Sequence, residues 1–204
     1  MGPLHRVYFD YQLKLNIGGD QKMEIKQAIK ELHRTRTSIS VVKPSYRSGI
    51  YAVYLKHGSC LEGFPSSKDG LIYIGVTSDL ARRGFENHFS SEKTGFSTLR
   101  RSLGAILKQE LNLKAIQRGR SSSDSNFKKY RFLPDGEERL TMWMKTNLEF
   151  GVCVVQEDYK SFEVPVIETL EPVLNLKGWY NPYGKDIKAL RKICADEARK
   201  SRAV

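Results

Sequence analysis

A chain of 204 residues, 40% hydrophobic and 28% charged, is large enough to bury a core and short enough for one domain with an extension, or two small domains. Its 34 Lys and Arg against 23 Asp and Glu leave a net charge of +11, which suits a polyanionic partner, nucleic acid being the usual one. Three widely spaced cysteines, Cys60, Cys153 and Cys194, argue against a disulfide framework or a zinc site, and no apolar run approaches the roughly 18 residues of a membrane helix. With no apolar signal core near the N-terminus, the expectation is a cytoplasmic protein with reduced thiols.

Val7, Phe9, Tyr11, Leu13, Leu15 and Ile17 alternate with mostly polar neighbours, which predicts a strand. Gly18-Gly19 breaks it, Asp20 can cap a helix, and Ile25, Ala28, Ile29 and Leu32 fall on one helical face that ends near Thr37. Residues 1–45 thus read as a strand-helix extension. Residues 50–55 and 71–75 read as antiparallel strands joined by a loop rich in Gly and Ser over 56–70. Ser78 or Asp79 caps a helix through Arg83, and Ser97 caps another whose apolar face is Leu99, Leu103, Ile106, Leu107 and Leu111. Residues 117–138 turn polar and predict a long, mobile insertion. Arg118, Arg120, Lys128, Lys129 and Arg131 make it basic, as a solvated surface loop or as one that touches a phosphate backbone. A helix over 140–148, a buried strand over 150–155, a short helix between Pro165 and Pro172, and a charged helix from about Asp186 to Ser201 complete the chain.

Gly49-Ile50-Tyr51 opens the first of the paired strands and Tyr73-Ile74-Gly75 ends the second, so antiparallel pairing brings Tyr51 and Tyr73 to one cleft. With these two motifs the sequence resembles the GIY-YIG nuclease superfamily. Arg83, eight residues past Gly75, and Glu163 with Pro172 nine and Asn175 twelve residues later extend the resemblance, which covers about residues 48–176. It implies an α/β domain over 46–180, with a small antiparallel sheet of about three strands flanked by helices. The N-terminal extension precedes this domain and a charged C-terminal helix, 181–204, follows it.

The resemblance also implies roles. Tyr51 is the general base, Tyr73 orients water or phosphate, Arg83 holds the scissile phosphate, and Asn175 supports the site through hydrogen bonds. Glu163 binds Mg2+, with Mn2+ as a possible substitute, beside the leaving oxygen. The chemistry agrees: a guanidinium fork matches two phosphate oxygens, and magnesium often takes only one or two carboxylates and keeps several waters. A tyrosine with an ordinary pKa near 10 is a poor base at neutral pH. A cation such as Arg83 must lower it, or a neighbouring histidine must accept its proton.

Two departures stand out. Some members place a histidine four residues after the arginine; here that position is Asn87, and His88 comes one later, with Gly84 between to bend or loosen the helix. Pro165 restricts Glu163 to a first helical turn, with Glu168 or Glu171 as fallback ligands. Arg82 is the register alternative to Arg83. Arg82, Arg100, Arg101, Lys128 and Lys129 are candidates for backbone phosphate contacts, a solvated face being the alternative. Trp143 reads as core, whereas Trp179, in a loop with Tyr180 and Tyr183, can stack on bases. The expected substrate is DNA, double-stranded, cut by a monomer or a homodimer. The competing readings are a catalytically silent nucleic-acid-binding module, an RNA-processing nuclease, and a toxin-like or defence component held by a partner.

Overall fold

The computed structural model describes residues 24–67, 69–121 and 123–201. The strand read at 7–17 and the Asp20 cap lie outside the described residues. Among these residues the strands are β1 (Thr37–Ser38), β2 (Gly49–Leu55), β3 (Leu71–Thr77), β4 (Ala115–Ile116), β5 (Arg131–Phe132) and β6 (Leu148–Val154). The helices are α1 (Ile25–Arg34), a π-helix (Leu80–Glu86) that runs into α2 (Asn87–Phe89), α3 (Thr98–Ile106), α4 (Asp124–Lys128), α5 (Pro134–Asn147), α6 (Glu163–Leu170) and α7 (Gly184–Lys200).

The main sheet is antiparallel throughout, in the order β1-β6-β2-β3, while β4 and β5 pair separately. It has one strand more than the three expected, because Thr37 and Ser38 pair with Phe150 and Glu149. β2 is buried at all seven positions. Ile50, Ala52 and Tyr54 face α1 and α6 through Ala28, Leu32, Val166 and Ile167. Tyr51, Val53 and Leu55 face the opposite way, into a core that holds Phe89, Leu103, Met144 and Phe150. Alternation along one strand therefore serves two cores, and only one of them borders the site.

On β6 beyond its pairing with β1, and on the β3 edge, side chains imitate a further strand. Thr35 Oγ1 donates to Val152 O at 2.7 Å and accepts from Val152 N at 2.8 Å. On the β3 edge, Asn175 Oδ1 accepts from Ile74 N and its Nδ2 donates to Ile74 O, both at 2.9 Å. Leu174 N adds a bond to Ile72 O. Pairing of this kind removes free edge donors and acceptors, and it fixes the strand that carries Tyr73.

The described residues of the stretch read as a mobile insertion form α4, β5 and the start of α5, a correction with a clear physical reason. Ser123 caps α4 by accepting from Asn126 N, and Phe127, Tyr130 and Phe132 are buried beneath it. Pro134 then starts α5, six residues earlier than expected, in the first-turn position proline tolerates. The sequence pattern hid this because the aromatics are separated by Lys128, Lys129 and Arg131 and show no simple period.

Candidate active site

Tyr51 lies opposite Gly75 across the β2–β3 ladder, which brings the two motif strands into register. Gly75 is required there: a Cβ would come within 2.4 Å of the Tyr51 hydroxyl and Cζ. Gly84 flanks the same ring, where a Cβ would sit 3.3 Å from Tyr51 Cδ1. The phenol thus rests on two positions without side chains, and its ring also stacks on Phe150 at 5.5 Å. Tyr73, two residues from Gly75 and so on the same face, has its ring 6.2 Å from that of Tyr51, in the shared cleft expected.

Asp79 accepts from Arg82 N and starts the next helix, as expected for a cap. The helix it starts is not α. Gly84 N reaches back five residues to Asp79 O at 3.1 Å, and the segment continues as a π-helix to Glu86. In an i→i+5 ladder the fifth residue takes the place that the fourth takes in an α-helix. This resolves the offset between Arg83 and His88: the wide turn brings both to one cavity of about 290 Å3, lined also by Tyr51, Tyr73, Thr77, Asn87 and Phe96. Arg82 is exposed and lies outside that lining, so the register favours Arg83.

His88 is buried and connects two hydroxyls. Its Nε2 lies 2.7 Å from Tyr51 Oη and its Nδ1 2.6 Å from Ser97 Oγ. Burial, then the charges of Arg100 and Arg101, push the imidazole down to about 3. Burial, then Tyr73 and Glu163, push the Tyr51 phenol well above its ordinary 10, with Arg83 pulling the other way. A neutral imidazole beside an un-ionised phenol assigns the bond as Tyr51 O–H donating to Nε2, with the ring proton on Nδ1 donating to Ser97. Ser97 was expected only as the cap of α3, which it is, through the N–H of Arg100 at 3.0 Å. Its second contact, to His88, has no signal in the sequence.

Glu163 is the first residue of α6, as Pro165 required, and is exposed. It makes no ion pair or side-chain hydrogen bond among the described residues and is not part of the cavity wall. Its charge nevertheless acts on both Tyr51 and Tyr73. Glu168 and Glu171 are exposed. Asn175 clamps the Ile74 peptide, and its carbonyl accepts from Trp179 Nε1 and Asn181 Nδ2, both at 3.0 Å. Trp179 is therefore half-buried and tethered rather than presented for stacking, while Tyr180 is exposed.

Arg100 and Arg101 are corrections. Arg100 is fully buried, with its guanidinium 2.7 Å from Glu137 and bonded to Thr94 Oγ1 and the His88 carbonyl. Arg101 is 7% exposed and donates to the carbonyls of Thr94 and Gly95. Both hold the turn before α3 instead of facing solvent. Lys128 is exposed but paired with Asp124 at 2.6 Å, and Lys129 is exposed. Sequence reading also missed Arg191, on α7, whose charge reaches Tyr73 and Arg101.

The family model of the GIY-YIG catalytic domain matches residues 49–193. The chain belongs to the GIY-YIG family. This match supports a nuclease-type function, and GIY-YIG nucleases act on nucleic acid. It extends the resemblance beyond Asn175 into α7, as far as Ile193. No curated protein and no solved structure matches the chain. Among the described residues, no helix is long and apolar enough to cross a membrane.

The buried histidine of this GIY-YIG domain carries a pH prediction. The folded protein keeps His88 neutral above about 3, whereas the unfolded chain protonates it below its ordinary 6.5. The stability this difference contributes is complete above 6.5 and is lost as pH falls toward 3, by up to about 1.4 kcal/mol per pH unit. Urea unfolding between pH 7 and pH 4 should show a shallower acid decline for His88→Gln than for wild type. Equal slopes would mean that the imidazole does not carry this dependence.

Proposed function

We propose that this protein is a metal-dependent endonuclease that hydrolyses phosphodiester bonds in double-stranded DNA. The observation that carries the reading is the Tyr51–His88 contact of 2.7 Å, at a cavity that Arg83 also lines. An un-ionised phenol is a weak base on its own. Burial and the charges of Arg100 and Arg101 hold His88 neutral in the free protein; a phosphate in the cavity offsets those charges, so that as Tyr51 Oη takes the proton of the attacking water its own proton passes to His88 Nε2. The new bond joins the water oxygen to phosphorus, and the bond to the leaving sugar oxygen breaks. Arg83 has no ion-pair partner among the described residues. It donates its planar fork to the phosphate and offsets the charge that builds up there.

The donor set fits hydrated magnesium. Glu163 is a lone, exposed and unpaired carboxylate, and among the described residues no three His, Cys, Asp or Glu side chains cluster as a metal cage would need. Glu163 would hold the ion, with manganese as substitute, and the ion would supply positive charge to the leaving oxygen. The net charge of +11 favours a polyanionic substrate.

The test is cleavage of plasmid, linear duplex, branched and single-stranded DNA, and of RNA, with magnesium or with chelator. Duplex DNA should be cut only with magnesium. Glu163→Ala should lower the rate by about 100-fold or more while retaining binding, as expected for loss of one charge-stabilising group. Cutting that survives this substitution would move the metal to another carboxylate, Glu168 first. Preferential cutting of RNA would replace the substrate. Tight, salt-sensitive binding without cutting would make the protein a silent binding module.

A further inference from the structure

The turn Thr94–Phe96 separates two cavities. The catalytic one has Phe96 in its wall, and that ring is 66% exposed. The other, of about 600 Å3, lies along the β4–β5 hairpin and is lined by Arg118, Arg120 and Arg131 among others. Arg118 bridges them. Its stem lies flat on Gly95, where a Cβ would come within 2.6 Å of Arg118 Cγ, and its guanidinium sits 5.3 Å from the centre of the Phe96 ring. A guanidinium that covers an aromatic ring still offers its edge donors to an anion.

Among the described residues, hydrogen bonds fix the segment around Arg118. Arg118 N donates to Asn126 O at 3.1 Å, and the Asn126 amide donates to Ser121 O and Oγ, both at 2.9 Å. Asn126 is 8% exposed, and Gly119 has no room for a Cβ beside it. Among the described residues, Arg118, Arg120 and Arg131 have no carboxylate partner, unlike Lys128, which Asp124 neutralises. Arg118 also adds its charge to that of Arg101 and Arg191, a crowd of like charges beside the catalytic cavity that an anion would relieve.

We infer that the substrate strand leaves the catalytic cavity over Phe96 and continues along the β4–β5 hairpin, with Arg118 at the junction and Arg120 and Arg131 on the following phosphates. This rests on the reading of the protein as one that binds nucleic acid. It gives the hairpin, ordered by Asn126, a task the catalytic residues do not need.

The test separates binding from cutting. Fluorescence anisotropy with labelled duplex and single-stranded DNA, in chelator and over a range of salt, compares wild type with the triple variant Arg118→Ala, Arg120→Ala, Arg131→Ala. Kd should rise about tenfold or more, and the slope of log Kobs against log salt should flatten by about 0.9 for each duplex phosphate that is no longer neutralised. Phe96→Ala should weaken single-stranded DNA binding, with Phe96→Trp restoring it. Because Arg120 is exposed, Arg120→Glu imposes no folding burden and should weaken binding on its own. Unchanged Kd and salt slope in the triple variant and in Arg120→Glu would overturn the path, even with magnesium-dependent cleavage intact. Arginine-dependent binding with no cleavage of any substrate would leave the path standing and sink the nuclease reading.

Discussion

Tyr51→Phe should lower kcat by about 1000-fold, with KM little changed, because general base catalysis contributes on the order of 10²–10⁴. The substitution removes one oxygen. The ring still rests on Gly75 and stacks on Phe150, so the fold should persist. What disappears is the hydroxyl that contacts His88 Nε2, the group that on the proposed mechanism takes the proton of the attacking water. The loss should therefore fall on the chemical step. Single-turnover cleavage at saturating enzyme reads that step directly, and binding measured with chelator reads the ground state. A variant that cuts within about tenfold of wild type would remove Tyr51 from the base role and turn attention to His88 acting on water itself.

Glu137→Ala should be the most destabilising single change outside the sheet, by about 3–5 kcal/mol, the usual cost of stranding a buried charge. Glu137 is fully buried and serves three donors: Arg100 Nη2 at 2.7 Å, Thr94 Oγ1 at 2.8 Å and Phe132 N at 3.0 Å. Its removal leaves the Arg100 guanidinium in an apolar interior with only neutral acceptors. Guanidinium unfolding should show a lower midpoint with an unchanged slope. Arg100 also bonds the His88 carbonyl and, through its N–H, Ser97 Oγ, so surviving folded protein should cut more slowly as well. A loss below about 1 kcal/mol would mean that water replaces the carboxylate at little cost.

Much of the site was legible because its parts are local. Two apolar runs on either side of a loop rich in Gly and Ser read as the two strands, and once they pair, Tyr51 and Tyr73 must share a face. Proline chemistry alone limited Glu163 to the first turn of its helix, where it stands. The hidden parts are those settled by distant partners. Arg100 looked like a surface charge because its counter-ion lies 37 residues away, inside a stretch read as a mobile loop. The fourth strand is two residues long and gains its identity only from β6. The role of Asn175 as support could be expected; that it works as a substitute strand on Ile74 could not, since nothing in a sequence marks which edge of a sheet lacks a neighbour.

The π-turn between Leu80 and Glu86 bears on how such enzymes diverge. One extra codon placed in an ordinary helix would normally rotate everything downstream away from its partners. Here the π-turn takes up one residue more than an α turn as a local widening, and Arg83 and His88 line one cavity although they stand five apart. A comparison that insists on fixed spacing would pair Asn87 with the histidine of other members and score the centre as broken.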